Sequence, residues 1–240
     1  MTIDVPQTSN GTALPPATPA PAPLSTQPGP NPTLPAICSQ LRAKVDAFLA
    51  APPKDALVAR VQAQTRVSLQ VMEQAFRTYS YVDRAPPHSH PAYTPNRFDE
   101  LAISFNGGKD CLVLLVLLLA AIPAPAAGAR VRSVYVMSAR PFAEVDDFVA
   151  TCIATYALEM HRYPLPMKAA FASYLRENPS VKAIFVGTRR TDPHGELLGH
   201  FDPTDHGWPA FMRVQPVIDW HYQEVWTVCI PWTLRVGRDY

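Results

Sequence analysis

The sequence predicts an α/β fold, a doubly wound, mostly parallel sheet with helices on both faces, preceded by N-terminal helices and a disordered Pro-rich tail. Three observations carry this. From residue 98 onward, runs rich in β-branched and aromatic residues alternate with helical segments, the rhythm of strand–helix–strand units. The first such run, "LAISF", passes through a glycine pair straight into the apolar stretch "CLVLLVLLLAAI", as a strand–turn–helix junction would. That stretch stops at Pro123, well short of the roughly 20 residues a membrane span needs, so it reads as a buried helix.

Residues 1–36 hold a large share of the 27 prolines, with Ser, Thr, Asn, Gly and Ala and almost no charge. Such a segment buries too little apolar surface to offset its ordering entropy and is expected to be a passive, partly polyproline-II tail. Residues 37–240 form the expected folded domain. Pro52-Pro53 separates a short helix around 37–50 from a longer one around 55–80. In the latter, Val58, Val61, Thr65, Leu69, Met72 and Phe76 follow the spacing of one buried stripe. The loop "DRAPPHSHPAYTPNR" follows; His88 and His90 lack further ligands for a metal site, so it reads as surface.

"DELAISF" is the first strand, 109–121 a helix, "VRSVYVMS" the second strand, and 144–158 a helix whose acidic opening suits its dipole. "MKAAFASYLREN" is another helix, and "VKAIFVGT" at 181–188 a third strand. In such sheets ligands bind at the carboxyl ends of the strands, where the informative motifs are expected.

Composition removes several classes. A chain of 240 residues with 48 % hydrophobic content supports a sizeable core. Its formal charge of +1 leaves no electrostatic footprint for nucleic acid or an anionic membrane. Cys38, Cys111, Cys152 and Cys229 form no C-x-x-C pair, against a zinc ribbon or a redox motif. No Lys or Arg precedes Arg42 and no apolar segment opens the chain, unlike a secretory or transit signal. A cytoplasmic protein with reduced thiols is expected.

The loop "SFNGGKDC" combines the parts of a phosphate cradle. Gly107 and Gly108 permit close backbone approach, so N–H groups at a helix N-terminus face an anion. Ser104, Asn106 and Lys109 add donors, and Asp110 a carboxylate for Mg²⁺, which takes one or two carboxylates plus substrate phosphates. The spacing is neither a Walker A loop nor G-x-G-x-x-G, and a tight turn using Gly for geometry alone remains open. After the third strand, Arg189 and Arg190 bring guanidinium forks, and Thr191-Asp192-Pro193 makes a turn. The run "TDHGWPAFMRVQPVIDWHYQEVW" then supplies rings and polar atoms for a flat heteroaromatic ligand. Trp226 is expected in the core.

"SFNGGKDC" resembles the PP-loop of the ATP-pyrophosphatase families, with their adenine nucleotide alpha hydrolase-like fold and S-x-G-G-x-D-S/C signature. The order of that loop, "FAEVDDF", "GTRRTDP" and "TDHGWPAFMRVQPVIDW" over residues 55–230 is similar to the FMN adenylyltransferase domain of eukaryotic FAD synthase within this PAPS reductase-like superfamily. The resemblance implies transfer of AMP from MgATP to FMN, giving FAD and pyrophosphate. It implies that Ser104, Asn106, Gly107, Gly108, Lys109 and Asp110 hold the ATP phosphates and metal, with Met137 and Ser138 near adenine. Arg189, Arg190, Thr191 and Asp192 would line the place where ATP and flavin phosphate meet. Trp208, Pro209, Arg213, Asp219 and Trp220 would form the flavin pocket. The family continues into a stretch resembling "YCxLYDxGYTSLG" and an Arg-containing tail, whereas this sequence ends "CIPWTLRVGRDY". A missing lid, and weak turnover with it, are therefore expected. A catalytically silent flavin- or ATP-binding protein, or an enzyme adenylating another acceptor, are the alternatives.

Overall fold

A computed structural model describes residues 33–79, 98–123, 128–138, 140 and 142–232. Most of the Pro-rich tail, and the loop with His88 and His90, lie outside the described residues. The N-terminal helices are α1 (Leu34–Ala50) and α2 (Ala56–Tyr79). After a 3-10 turn at Phe98–Glu100 come β1 (Leu101–Ser104), α3 (Lys109–Ala121), β2 (Val131–Val136) and α4 (Ala143–Thr155). There follow β3 (Leu158–Tyr163), α5 (Met167–Glu177), β4 (Ala183–Phe185), β5 (Phe201–Pro203), β6 (Met212–Val214) and α6 (Tyr222–Trp232).

The strands form one sheet in the order β3-β2-β1-β4-β6-β5. All neighbours are parallel except β5, which runs antiparallel to β6. Side chains alternate across it as the strand period requires. Leu101, Ile103, Tyr135, Ala183, Phe185 and Val214 face the larger core; Ala102, Val134 and Ile184 face a smaller one built with Phe171 and Tyr174 of α5. Helices therefore cover both faces, but unevenly.

The apolar run of α3 has a plain cause. The helix lies against the sheet while α1, α2 and α6 all pack on it, so every residue from Leu112 to Ala120 is buried. Among the described residues no helix is long and apolar enough to cross a membrane. The outer helices are fastened through polar groups. Gln62, 4 % exposed, donates to the carbonyls of Phe48 (2.7 Å) and Ala51 (2.8 Å), satisfying acceptors where α1 ends. Ser68 donates to Pro216 O at 2.7 Å and accepts from the Trp220 indole N–H at 2.9 Å. The predicted stripe of α2 is the one that packs inward, with Leu69 partly buried and the other five buried.

Several expectations need correction. The helix expected over 144–158 ends at Thr155, and the strand β3 follows directly; its sequence, LEMHRY, exposes Glu159 and Arg162 because β3 is an edge strand, where charge blunts unwanted pairing. The expected third strand is thus the fourth, and only Ala183–Phe185 of 181–188 is paired. The β5–β6 hairpin is too short for any periodicity to show; Pro203 is tolerated on its outer strand.

Trp220 and Trp226 differ from expectation in their burial. Trp220, expected in the flavin pocket, is 1 % exposed and part of the core, whereas Trp226, expected in the core, is 42 % exposed. Trp220→Phe is expected to destabilise the fold by about 1–3 kcal/mol through the lost indole hydrogen bond and the cavity, measured by denaturant unfolding.

Burial pushes the Cys38 and Cys111 thiols up to about 11 and Cys152 up to about 12 from an ordinary 9.0. Between pH 9 and 11 the native state binds more protons than the unfolded state. Stability is therefore expected to be full below pH 9 and to decline as pH rises towards 11, read from chemical unfolding midpoints across that range.

Candidate active site

β1 ends at Ser104, and the Phe105 N–H still bonds to Val134 O at 3.0 Å. The chain then turns sharply. Gly107 has φ of +78°, and a Cβ there would lie 3.0 Å from Val149 Cγ2 on α4, so both backbone and space call for glycine. The Gly108 N–H is held by Asn106 Oδ1 at 2.9 Å. Gly108 caps α3 with extended dihedrals and no side-chain cap, which leaves the first-turn N–H groups of α3 directed outward at the positive end of the helix.

A second loop meets this one from the end of β4. A Cβ on Gly187 would lie 3.1 Å from Cys111 Sγ and 3.2 Å from Cys111 N. The backbone N–H groups of Asn106 and Gly187 both lie against the Cys111 sulfur. Burial raises this thiol most, the charges of Asp110 and Asp192 add to the rise, and those two N–H groups oppose it. It is a protonated packing residue rather than a nucleophile.

A chain of alternating charges crosses the junction. Lys109 Nζ lies 2.9 Å from Asp110 Oδ2, Asp110 Oδ1 3.2 Å from Arg189 Nε, and Arg189 Nη2 3.1 Å from Asp192 Oδ1. Asp192 Oδ2 also accepts from the Arg189 N–H at 2.8 Å. Arg189 and Asp110 are only 12 % and 18 % exposed. Although close, the Asp110 Oδ1 and Arg189 Nε atoms are too poorly aligned to hydrogen-bond, so both are buried without a hydrogen-bond partner. A buried carboxylate lone pair of this kind is costly to leave unfilled, and it suits a further cation. Among the described residues no three His, Cys, Asp or Glu side chains form a metal cage. The Asp110 carboxylate is of the kind that Mg²⁺ takes beside substrate phosphates.

Arg190 behaves differently from its neighbour. Its Nε lies 2.7 Å from Asp219 Oδ1, and its Nη1 donates to Glu196 O (3.0 Å) and Leu198 O (2.8 Å). Arg190 and Asp219 thereby hold the 189–198 loop to the segment after β6. His200 Nδ1 makes a 3.0 Å hydrogen bond with Gln215 O, and its Nε2 lies 3.9 Å from Asp219 Oδ2. Thr191 is exposed at the turn. Gly195 is required behind it, because a Cβ would collide with Arg189 O.

Met137 and Ser138 follow β2 at the same edge as the cradle; Met137 is partly buried, and Ser138 is exposed with Oγ accepting from the Arg140 N–H at 3.3 Å. Trp208, Pro209 and Arg213 sit elsewhere. Pro203 pairs with Met212, Met212 with Ala183 and Ala183 with Leu101, so the β5–β6 turn leaves the sheet where the parallel strands begin. Trp208 packs on Phe171 of α5 at 6.4 Å between ring centroids. The Pro209 carbonyl accepts from Thr204 Oγ1 at 2.8 Å, and Arg213 Nη2 donates to Pro203 O at 3.2 Å. The expectation that all informative motifs share the carboxyl edge of the sheet is corrected on this point. Sequence reasoning did not single out Tyr222, whose ring lies 5.5 Å from Lys109 Nζ.

Residues 100–172 and 165–231 match the phosphoadenosine phosphosulfate reductase domain, and the chain belongs to that family. It is 39 % identical over 189 residues to a probable FAD synthase of Schizosaccharomyces pombe, covering 76 % of this chain and 64 % of that protein. It is 31 % identical over 154 residues to the flavin adenine dinucleotide synthase of Saccharomyces cerevisiae, covering 53 % of this chain and 49 % of that one. Among solved structures it is similar to Candida glabrata FMN adenylyltransferase in complex with FAD and inorganic pyrophosphate, at 25 % identity and a TM-score of 0.69 over 81 % of this chain and 64 % of that one. The chain thus spans 64 % or less of the length of each of these proteins.

Gly107→Ala is expected to cost about 1–2 kcal/mol of stability from the positive φ alone, measured by denaturant unfolding.

Proposed function

We propose that this chain transfers AMP from MgATP to FMN, releasing pyrophosphate and forming FAD. The observation that carries the reading is the charge chain Lys109–Asp110–Arg189–Asp192, which joins the glycine turn after β1 to the loop after β4. The relatives named FAD synthases and the solved FMN adenylyltransferase complexes with FMN, an ATP analogue, FAD and pyrophosphate support the choice of substrates.

The chemistry asks little of a protein nucleophile. An oxygen of the FMN phosphate attacks the α-phosphorus of ATP, the bond to the β-phosphate oxygen breaks, and pyrophosphate leaves with that electron pair. The FMN phosphate is already anionic at neutral pH, so the barrier lies in bringing anions together in line. The first-turn N–H groups of α3 and the Lys109 ammonium take the β- and γ-phosphates, with Ser104 and Asn106 beside them. Lys109 exchanges its bond to Asp110 for one to phosphate, and Arg189, released in part from Asp110, faces the charge that grows near the α-phosphorus. Asp110 is the residue that would hold Mg²⁺, which when bound supplies charge neutralisation between the phosphates. Asp192 keeps Arg189 oriented, and Arg190 with Asp219 fixes the loop that carries both. Met137 and Ser138 lie where adenine would be received.

Purified chain supplied with FMN and MgATP is expected to form FAD and pyrophosphate in equal amounts. Lys109→Ala and Asp110→Ala are each expected to lower that rate by about 100-fold or more. Pyrophosphate release that does not depend on FMN would overturn the reading in favour of another acceptor. FMN and ATP binding without FAD would leave a silent binding protein.

A further inference from the structure

We propose that Tyr222 is a positioning residue for Lys109, holding its ammonium beside the glycine turn through the face of the tyrosine ring. The inference rests on the adenylyl-transfer reading above, which brings ATP phosphate to Lys109. Lys109 Nζ lies 5.5 Å from the centre of the Tyr222 ring, within the range at which the negative face of a ring attracts a cation. Each is the first residue of its helix, Lys109 of α3 and Tyr222 of α6, and the two helices pack on each other. The charges at the start of α3 also reach further along α6. Burial raises the Cys229 thiol most, the Asp110 charge adds to the rise and the Lys109 charge opposes it.

A lysine at that place needs such a partner. The start of α3 is the positive pole of the helix, which repels an ammonium, and a flexible four-carbon stem lets the group swing away into water. Asp110 Oδ2, 2.9 Å from Nζ, opposes this in the free protein. Adenylyl transfer removes that bond, because the carboxylate turns to Mg²⁺ and the ammonium to phosphate. The ring is the partner that remains. It attracts the charge while leaving the three N–H donors to phosphate oxygens, and it adds no negative charge to repel them.

Tyr222 is itself held in place. Glu224, 2 % exposed, accepts from the His221 N–H at 2.8 Å and lies 3.5 Å from Arg60 Nε of α2, which fixes the first turn of α6. Val225, Val228 and Cys229 anchor the inner side of that helix in the larger core. Trp226, four residues on, stands edge-on to the Tyr222 ring at 6.1 Å and 65°. The ring is 60 % exposed, yet its backbone is rigid and one of its sides is braced.

The test is a double-mutant cycle on the full chain, read by calorimetry with Mg²⁺ and a nonhydrolysable ATP analogue and with no flavin present. Tyr222→Leu, which keeps apolar bulk but has no ring face, is expected to weaken binding of the analogue about fivefold or more, and Tyr222→Phe to recover most of the loss. In a Lys109→Met background, Tyr222→Leu is expected to cost less than about twofold, because the ammonium it acts on is gone. Thermal midpoints of the Tyr222 variants are expected to match the parent, since the side chain is mostly exposed. Parent-like binding by Tyr222→Leu would overturn the proposal. So would a loss in Tyr222→Phe as large as in Tyr222→Leu, which assigns the effect to the hydroxyl, or an equal loss with and without Lys109, which assigns Tyr222 to the ligand itself. All three outcomes leave adenylyl transfer untouched. Absence of FAD from the parent supplied with FMN and MgATP, with the binding series as expected, would instead overturn adenylyl transfer and uphold the place given to Tyr222.

Discussion

Gly187 brings the end of β4 against the first turn of α3, close enough that a Cβ would lie 3.1 Å from Cys111 Sγ, and the carboxyl edge of the sheet is arranged around that approach. Two backbone N–H groups, of Asn106 and Gly187, converge on the same sulfur. The two loops are thereby held at a spacing at which Asp110 of one meets Arg189 of the other. A larger residue at either point would part the loops and dissolve the alternation of charge between them. The buried Asp110–Arg189 contact contributes little to stability in itself, since taking both ions from water costs roughly what their attraction returns. Its misalignment leaves it ready to exchange partners.

The same edge rests on a rigid base. α3 is buried along nearly its whole length, enclosed by the sheet and the outer helices, so its N-terminus cannot retreat from a ligand. The outer layer is tied through α2, whose Ser68 holds Trp220 and Pro216 and whose Gln64 side chain donates to Asp219 O at 3.3 Å. Asp219 in turn pairs with Arg190. The N-terminal helices are therefore coupled to the loop that carries Arg189 by a continuous series of hydrogen bonds. They do more than cover apolar surface.

How far the sequence is legible follows from how much each element depends on its own residues. The span of α3 and the glycine turn before it were readable, because an apolar run and a paired glycine state their environment locally. β3 was not: an edge strand with one solvated side carries no strong alternation, and LEMHRY reads as the tail of the helix before it. β5 and β6 are three residues each, below the length at which any period exists. Arg189 and Arg190 are adjacent and chemically identical, and only tertiary partners separate the one on Asp110 from the one spent on Asp219 and two carbonyls. The burial of Trp220 and exposure of Trp226 are likewise a matter of where α2 and α6 meet. The cradle was legible as a set of residue types; its junction with the second loop was not.

The two borders of the sheet share a property with bearing on assembly. One border is β3, with Glu159 and Arg162 turned outward; the other is β5, three residues ending in a proline that has no N–H to give. Neither offers a long, flat, greasy margin to another chain. Self-association by sheet extension is disfavoured at both sides.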